Sequence, residues 1–269
     1  MNTANDIARK IGLPGHTADT LSALSLPAGM PGFPELMADA RLLQPYAGLS
    51  NGLVLLRFYL DWALYTKACY EALGIPESVL LDGLKDIAIW AEDYYDKHRI
   101  PGFEEWEWVA NTLRLKVFRL GRLQFEPSVL GESVVADSRH YPAGTPVLEV
   151  HIPAGEPLDP AAVAASLEQA PAFFRTCFHR EYSLLRCHSW LLCPQLKELL
   201  PEQSRILQFQ NLFTVYEEDC ERQAEERVFG FLSEDPARYP ETTALRKSLK
   251  QALLEGRTIG MGKGIRTIP

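Results

Sequence analysis

The sequence predicts an α+β protein, with a helical N-terminal part and a mixed, mostly antiparallel sheet in the C-terminal part. Residues 1–118 carry apolar side chains at helical spacing in several long segments. After Gly121, polar and apolar residues alternate over short segments, as they do in strands with one buried face. We therefore expect a helical N-terminal domain over residues 1–118, packed on an α+β domain with a sheet and helices over residues 119–269.

Helices follow one another through the N-terminal part. Glycine- and proline-rich segments separate apolar stripes, which predict helices at residues 5–11, 33–43, 52–73, 76–98 and 103–120. The most apolar of these, residues 52–73, contains four charged residues, which excludes a membrane span and suits ion pairs one helical turn apart. The four are Arg57, Asp61, Lys67 and Glu71.

Strands and helices alternate in the C-terminal part. Strands are predicted at residues 122–126, 133–136, 145–152, 182–192, 205–216 and 224–231, the last two as a hairpin. Helices are predicted at residues 160–178, 194–200 and 242–254. Pro171 should break or kink the first of these helices, because proline cannot donate the helical hydrogen bond.

Composition and charge limit the class of protein. Hydrophobic residues make up 46% and charged residues 23% of the 269 residues, as in soluble globular proteins. The net charge of −8 argues against nucleic acid as a partner, because phosphates require a basic surface. Five cysteines without a CxxC pair, and an N-terminus without the apolar segment of a signal peptide, indicate a cytoplasmic protein with reduced thiols.

Two predicted strands carry the candidate site. Glu149 and His151 are two residues apart on one strand, while Arg186, His188 and Trp190 have the same spacing on another. Side chains two apart share a face of a sheet, so each set should point the same way. His151 and His188 could take a proton from an amine or hydroxyl, with Glu149 as base or orienting group. Arg186 and Trp190 would bind the substrate. The alternative is the solvent-exposed face of an ordinary antiparallel sheet.

Several other residues are candidates for this site, and the cysteines are excluded from it. Gln208 and Gln210 are candidate substrate-binding residues on the same polar face, which Gln124 and Glu126 could also extend. Tyr216 is a further candidate general acid. Cys187 should point away from His188 and is interpreted as a buried structural thiol. The cysteines and histidines lack the spacing of a zinc site, so no metal is expected.

The C-terminal half resembles a known family. Three runs carry the resemblance: RLGRLQFEP from Arg119, PVLEVHIPAGEPLDP from Pro146, and CHSWLLCPQLKELLP from Cys187. They are similar to bacterial acyltransferase-domain proteins, which join an N-acyltransferase N-terminal helical domain to a GNAT-like C-terminal domain. The resemblance covers nearly the whole chain and is strongest from Arg119 to Thr214. It implies transfer of an acyl group from acetyl-CoA or another acyl-CoA to an amine or hydroxyl of a small molecule.

The resemblance also implies where the co-substrate binds. The strand before the long helix should bind pantetheine through its backbone, which here involves Val150 and Ile152. The family's diphosphate loop, Gln/Arg-x-x-Gly-x-Gly/Ala, is absent after this strand, where residues 153–159 contain one glycine, two acids and no basic residue. A matching run occurs instead at the C-terminus, with Arg257, Gly260 and Gly262. It could close over a phosphate through backbone N–H groups. We favour a solvated, loosely ordered basic tail.

The sequence thus supports three functions. The first is a GNAT-like N-acyltransferase that uses acyl-CoA. The second is a non-catalytic small-molecule-binding protein that kept the fold and lost the phosphate loop. The third is a CoA-independent hydrolase that uses the Glu/His face. Neither the acceptor nor the oligomeric state follows from the sequence.

Overall fold

The chain divides into a largely helical first unit and a second unit built on a sheet. The first contains residues 1–125, 153–156 and 175–179, and the second contains residues 126–152, 157–174 and 180–269. The structure is a computed structural model that describes residues 3–136 and 138–268.

The first unit consists mainly of helices. They are α1 (Ala4–Lys10), α2 (Gly15–Ser22), α3 (Phe33–Ala38), α4 (Leu53–Ala72), α5 (Glu77–His98) and α6 (Trp106–Leu113), with 3-10 segments at Ala40–Tyr46 and Leu49–Gly52. Helix α4 is buried over most of its surface, including Tyr59. Its charged residues form the two predicted pairs, Arg57–Asp61 at 2.6 Å and Lys67–Glu71 at 2.7 Å. No helix among the described residues is both long and apolar enough to cross a membrane.

The described residues form one six-stranded sheet in the order β1-β2-β5-β6-β8-β7. Its strands are β1 (Phe118–Leu120), β2 (Leu123–Val129), β5 (Pro146–His151), β6 (Leu184–Ser189), β7 (Thr214–Asp219) and β8 (Met261–Thr267). A separate hairpin contains β3 (Val134–Ala136) and β4 (Arg139–Tyr141). Strands β5 and β6 are parallel, whereas β1–β2, β6–β8 and β7–β8 are antiparallel. The predicted class, α+β with a mixed, mostly antiparallel sheet, is confirmed.

The remaining helices belong to the second half of the chain. They are α7 (Pro160–Phe178), α8 (Leu196–Leu199), α9 (Arg205–Gln210), α10 (Gln223–Phe229) and α11 (Ala244–Leu254). Helix α7 joins the parallel strands β5 and β6. It continues through Pro171 without the break that was one of the two expected outcomes, and Ala170 and Phe174 on either side are fully buried.

Three predicted elements are wrong, and each error has a local cause. The helix expected over 103–120 ends at Leu113, followed by Leu115 in a left-handed conformation that stops helical bonding, and residues 118–120 form β1. The strand expected over 205–216 begins as helix α9, because the Ser204 hydroxyl accepts a hydrogen bond from the Ile206 N–H and caps it. The strand expected over 224–231 is helix α10, which ends at Gly230.

The C-terminal segment is also not a loosely ordered tail. Strand β8 lies between β6 and β7 and pairs with both along most of its length. Its glycines make this position sterically feasible. A Cβ atom on Gly262 would collide with the Leu192 carbonyl, and one on Gly260 would collide with the Asp219 carbonyl. Backbones therefore approach each other too closely here for any side chain.

Candidate functional site

A charged pair lies where β5 and β6 run side by side in the second unit. Glu149 and Arg186 are direct register partners, so their side chains share one face of the sheet. Arg186 Nε donates to Glu149 Oε1 at 2.7 Å, and its Nη2 lies 2.6 Å from the same oxygen. Arg186 was predicted to hold an anionic part of the substrate, but its guanidinium already binds this carboxylate.

Glu149 has a perturbed acidity. Its side chain is only 12% exposed, and burial raises the pKa of the carboxyl by more than Arg186 and His151 lower it. A glutamate with a raised pKa holds a proton more readily than an exposed one, which suits a group that accepts a proton from a substrate.

The two histidines of the predicted site lie on the same sheet face as this pair, each two residues further along its strand. His151 Nε2 lies 3.1 Å from Glu126 Oε2, and His188 Nε2 lies 2.7 Å from Asp219 Oδ2. Both rings are about one-third exposed. Each histidine therefore has a carboxylate neighbour and access to solvent. Neither ring is enclosed in the protein interior.

Asp219 fixes the proton on the His188 ring. Partial burial acts to raise the pKa of Asp219, but the Glu221 N–H and the His188 ring outweigh it, so the pKa lies below its usual range. The carboxylate is therefore ionised and can only accept hydrogen bonds. His188 Nε2 therefore donates to Asp219 Oδ2, and in the neutral ring the lone pair that can accept a proton lies on Nδ1.

Tyr216 adds a hydroxyl to this face. It lies in a bulge of β7, between Val215 and Glu217. Burial raises the pKa of its phenol, and a hydrogen bond with Arg186 opposes that rise only in part. The hydroxyl thus keeps its proton and can donate it. Sequence alternation missed the partner Asp219, because it follows His188 by 31 residues and reaches it from another strand.

Lys263 and Glu217 are two further charged residues beside His188. Lys263 is the β8 register partner of both His188 and Glu217, so the three residues follow one line across β6, β8 and β7. Lys263 Nζ donates to Glu217 Oε1 at 2.6 Å. On the opposite face Cys187 is fully buried, and burial raises the pKa of its thiol, so it fits the structural role predicted for it.

Three predicted substrate-binding residues lie outside this face. Strand β6 ends at Ser189, and Trp190 begins a 3-10 turn (Trp190–Leu192) that packs on the hydrophobic cluster around Leu196. Gln208 and Gln210 are in helix α9. Gln210 is buried, and its amide donates to the carbonyls of Leu191 and Cys193. Gln208 donates to the carbonyl of Gln203. The expected strand face does not exist at these positions, because the segment is helical.

The predicted cofactor-binding residues have mixed surroundings. Val150 is buried on the face of β5 opposite Glu149, and Ile152 follows the end of the strand. Arg257 forms ion pairs with Glu255 at 2.9 Å and Glu198 at 3.4 Å. Since Gly260 and Gly262 are explained by the close backbone contacts described above, the Arg-x-x-Gly-x-Gly run has a packing cause. It leads into a strand, whereas phosphate loops of this type open a helix.

The remaining described residues contain a polar cleft but no metal-binding cluster. Among residues 3–136 and 138–268, no group of three or more His, Cys, Asp or Glu side chains could hold a metal ion. The first unit contains an open polar cleft of about 410 Å³, and none of the sequence-predicted site residues lines it. Six of the side chains that line it are Asp39, Arg41, Trp106, Asn111, Arg114 and Lys116.

Models of known protein families match both halves of the chain. Residues 2–115 match the N-acyltransferase N-terminal domain, and residues 117–266 match the GNAT-like C-terminal domain. The chain belongs to this acyltransferase family. The resemblance inferred from the three sequence runs is thereby confirmed. No curated protein matches the chain.

Solved structures of acyltransferases share the fold along the whole chain. One, in complex with decanoyl-CoA and teicoplanin, is 25% identical with a TM-score of 0.81, and the match covers 99% of this chain and 88% of that one. Another, with CoA and 10C-teicoplanin, is 25% identical with a TM-score of 0.80 and the same coverage. A mutant in complex with octanoyl-CoA, 23% identical with a TM-score of 0.80, shows the likeness of fold alone.

Proposed function

We propose that this protein transfers an acyl group from acyl-CoA to an amine or hydroxyl of a small molecule. The observation that carries the proposal is the His188–Asp219 pair, in which a carboxylate 2.7 Å from the ring orients a histidine on the sheet face of a chain that belongs to an acyltransferase family. Acyl-CoA supplies an activated thioester. The structural relatives with acyl-CoA and teicoplanin support a small-molecule acceptor of this kind.

The residues of the sheet face can perform the proton transfers of such a reaction. His188 Nδ1 accepts the proton of the acceptor N–H or O–H as that atom attacks the thioester carbonyl. The new C–N or C–O bond forms, the C–S bond breaks, and the CoA sulfur leaves as a thiolate that takes a proton. Asp219 stabilises the imidazolium produced on His188. Tyr216, whose phenol keeps its proton, is a suitable hydrogen-bond donor to the leaving sulfur. The proton held by the His188 imidazolium passes through solvent to the CoA thiolate, which restores the neutral ring.

Glu149 and Arg186 contribute to the proposed reaction in other ways than His188 does. Glu149, with its raised pKa, can orient the acceptor or accept its proton through a water molecule. Arg186 holds both Glu149 and Tyr216 in place and is thus a positioning residue. His151, paired with Glu126, is an orienting group further along the same face.

Calorimetric titration tests the proposal with the purified full chain. We expect binding of acetyl-CoA or of a longer acyl-CoA such as decanoyl-CoA, and release of free thiol when an amine or hydroxyl acceptor is added. Binding of acyl-CoA without turnover across a panel of acceptors would favour a binding protein. Hydrolysis of an ester or amide in the absence of any CoA affinity would favour the hydrolase, and either result overturns the transferase.

A further inference from the structure

Two buried arginines in the first unit stand out from the rest of the molecule. Arg119 is 2% exposed and Arg122 is 5% exposed. They lie at the tight turn between β1 and β2, where Leu120 pairs with Leu123 and Gly121 has the left-handed conformation that such a turn requires. Arginine is rarely buried without an anionic partner, so the groups around these guanidinium ions need an explanation.

Both arginines bind the same residue. Arg119 Nη2 donates to the Glu156 side chain at 2.9 Å, and Arg122 Nη2 donates to the Glu156 backbone carbonyl at 2.7 Å. Glu156 belongs to the loop that directly follows β5, and its side chain is 52% exposed. In this ion pair the cation is therefore held in the interior, while the anion lies at the surface.

The guanidinium of Arg119 is not fully satisfied by these contacts. Its Nη1 atom is buried and has no hydrogen-bond partner among the described residues. The nearest carboxylate oxygen, Asp86 Oδ1, is 3.9 Å away, which is too far for a hydrogen bond. Asp86 directs its other oxygen to Trp108 Nε1 and Gln124 Nε2, both at 2.8 Å. Arg119 thus has a buried donor that lacks an acceptor.

The two cations also destabilise each other. Burial lowers the pKa of Arg122, and the charge of Arg119 lowers it further, against the opposing effect of Glu156. If the exposed Glu156 carboxylate moved into solvent, the Arg119 guanidinium would face the Asp86 carboxylate at 3.9 Å, beyond hydrogen-bond distance. That arrangement would favour an incoming anion with more acceptor atoms than a carboxylate.

We propose that Arg119 and Arg122 form a phosphate-binding site for the diphosphate of acyl-CoA, and that the Glu156 side chain occupies this site until the co-substrate displaces it. The inference rests on the proposed function. It explains how a loop with two acids and no basic residue can still serve an anionic ligand, since the cations come from the β1–β2 turn. A phosphate group also has enough oxygens to accept from Nη1 as well as Nη2 of Arg119.

Glu156 is suited to leave the site. Its carboxylate is half exposed, and its neighbour Gly155 has a φ of +87°, a conformation in which other residues are strained. In the bound state its charge would repel the phosphate. Glu156→Gln removes that charge and weakens the competing contact, so it should raise the affinity for the phosphate-bearing ligand. A loop clamp without a ligand-binding role predicts the opposite, a loss of stability with no gain in affinity.

The test uses calorimetric titration of the wild type, Glu156→Gln and a matched control, Glu71→Gln. Glu71 is an exposed glutamate of the same unit, ion-paired with Lys67. The probes are CoA, pantetheine and inorganic pyrophosphate. We expect Glu156→Gln to bind CoA about fivefold to tenfold more tightly than the wild type, the effect of one neighbouring charge. Pantetheine, which lacks the diphosphate, should bind equally to all three proteins, and Glu71→Gln should match the wild type.

The outcomes separate this inference from the proposed function. Equal or weaker CoA binding by Glu156→Gln, in a protein that binds CoA and turns over, overturns the inference and leaves the acyltransferase intact. A gain for pyrophosphate in a chain that never binds CoA supports the arginine site and assigns it to a free phosphate anion. That second result overturns the acyl-CoA assignment.

Discussion

The carboxylates of Glu149 and Asp219 both contact a basic side chain on the same sheet face, yet their acidities change in opposite directions. Burial dominates at Glu149 and raises its pKa although Arg186 is 2.6 Å away. At Asp219 the Glu221 N–H and His188 overcome a smaller burial, and the pKa falls. The side chain of Glu149 is 12% exposed and that of Asp219 is 26% exposed. Burial, more than the presence of a cation, thus decides the direction in which the pKa of each carboxylate shifts.

Under the proposed function, the two carboxylates would have different roles. Asp219, with its lowered pKa, would act through the His188 ring. Glu149, with its raised pKa, would accept and release a proton itself. Three measurements test this difference.

The largest expected effect is on His188. His188→Ala removes the proton acceptor and should lower kcat by about 10²–10⁴-fold, the usual contribution of a general base. Because the ring is one-third exposed, the melting temperature should change little. The control is His140→Ala, an exposed histidine of β4 in the same unit. A parallel fall in activity and melting temperature would make His188 a structural residue.

A smaller effect is expected at Glu149. Glu149→Gln keeps the size of the side chain and removes its charge, so an orienting role predicts a fall in kcat of about tenfold to a hundredfold. In a His188→Ala background, where this histidine no longer titrates, the residual kcat should decline in acid with a midpoint above the ordinary pKa of glutamate, because burial raises that pKa. Adding Glu149→Gln should remove this decline. If the decline were unchanged, Glu149 would have no part in proton transfer.

The smallest effect is on stability, and its sign differs between the two carboxylates. The lowered pKa of Asp219 means that its stabilising contribution is present above the usual aspartate pKa and is lost as pH falls through the folded-state value. Asp219→Asn should therefore be less stable than the wild type at neutral pH, and the difference should close in acid.

The raised pKa of Glu149 has the reverse consequence. Its shift favours the folded state below the usual glutamate pKa, and this contribution is lost as pH rises through the folded-state value. Relative to the wild type, Glu149→Gln should gain stability as pH rises. Melting temperatures from about pH 2 to about pH 8 measure both trends, because the Asp219 contribution is lost only below the usual aspartate pKa. Curves of the same sign for the two variants would contradict the comparison.

Much of the sheet face was predictable from local patterns. Alternation with a period of two placed Glu149 with His151 and Arg186 with His188, and strands β5 and β6 keep those faces. The predicted secondary structure was wrong where one helix-capping residue started a helix within a longer alternating pattern. Ser204 starts a helix at residues that alternate like a strand, so Gln208 and Gln210 leave the face to which they were assigned.

Local sequence patterns were enough to predict the helical first part, the α+β class, the family and the periodicity that groups two histidines, a glutamate and an arginine. Which partners those groups meet depended on the packing of distant segments. That packing brought Asp219 to His188, placed the C-terminal segment between β6 and β7, and joined the β1–β2 turn to Glu156. The physical reason is that alternation is a property of consecutive residues. Burial and charge pairing, which fix acidity, arise only when segments that are far apart in sequence are packed together.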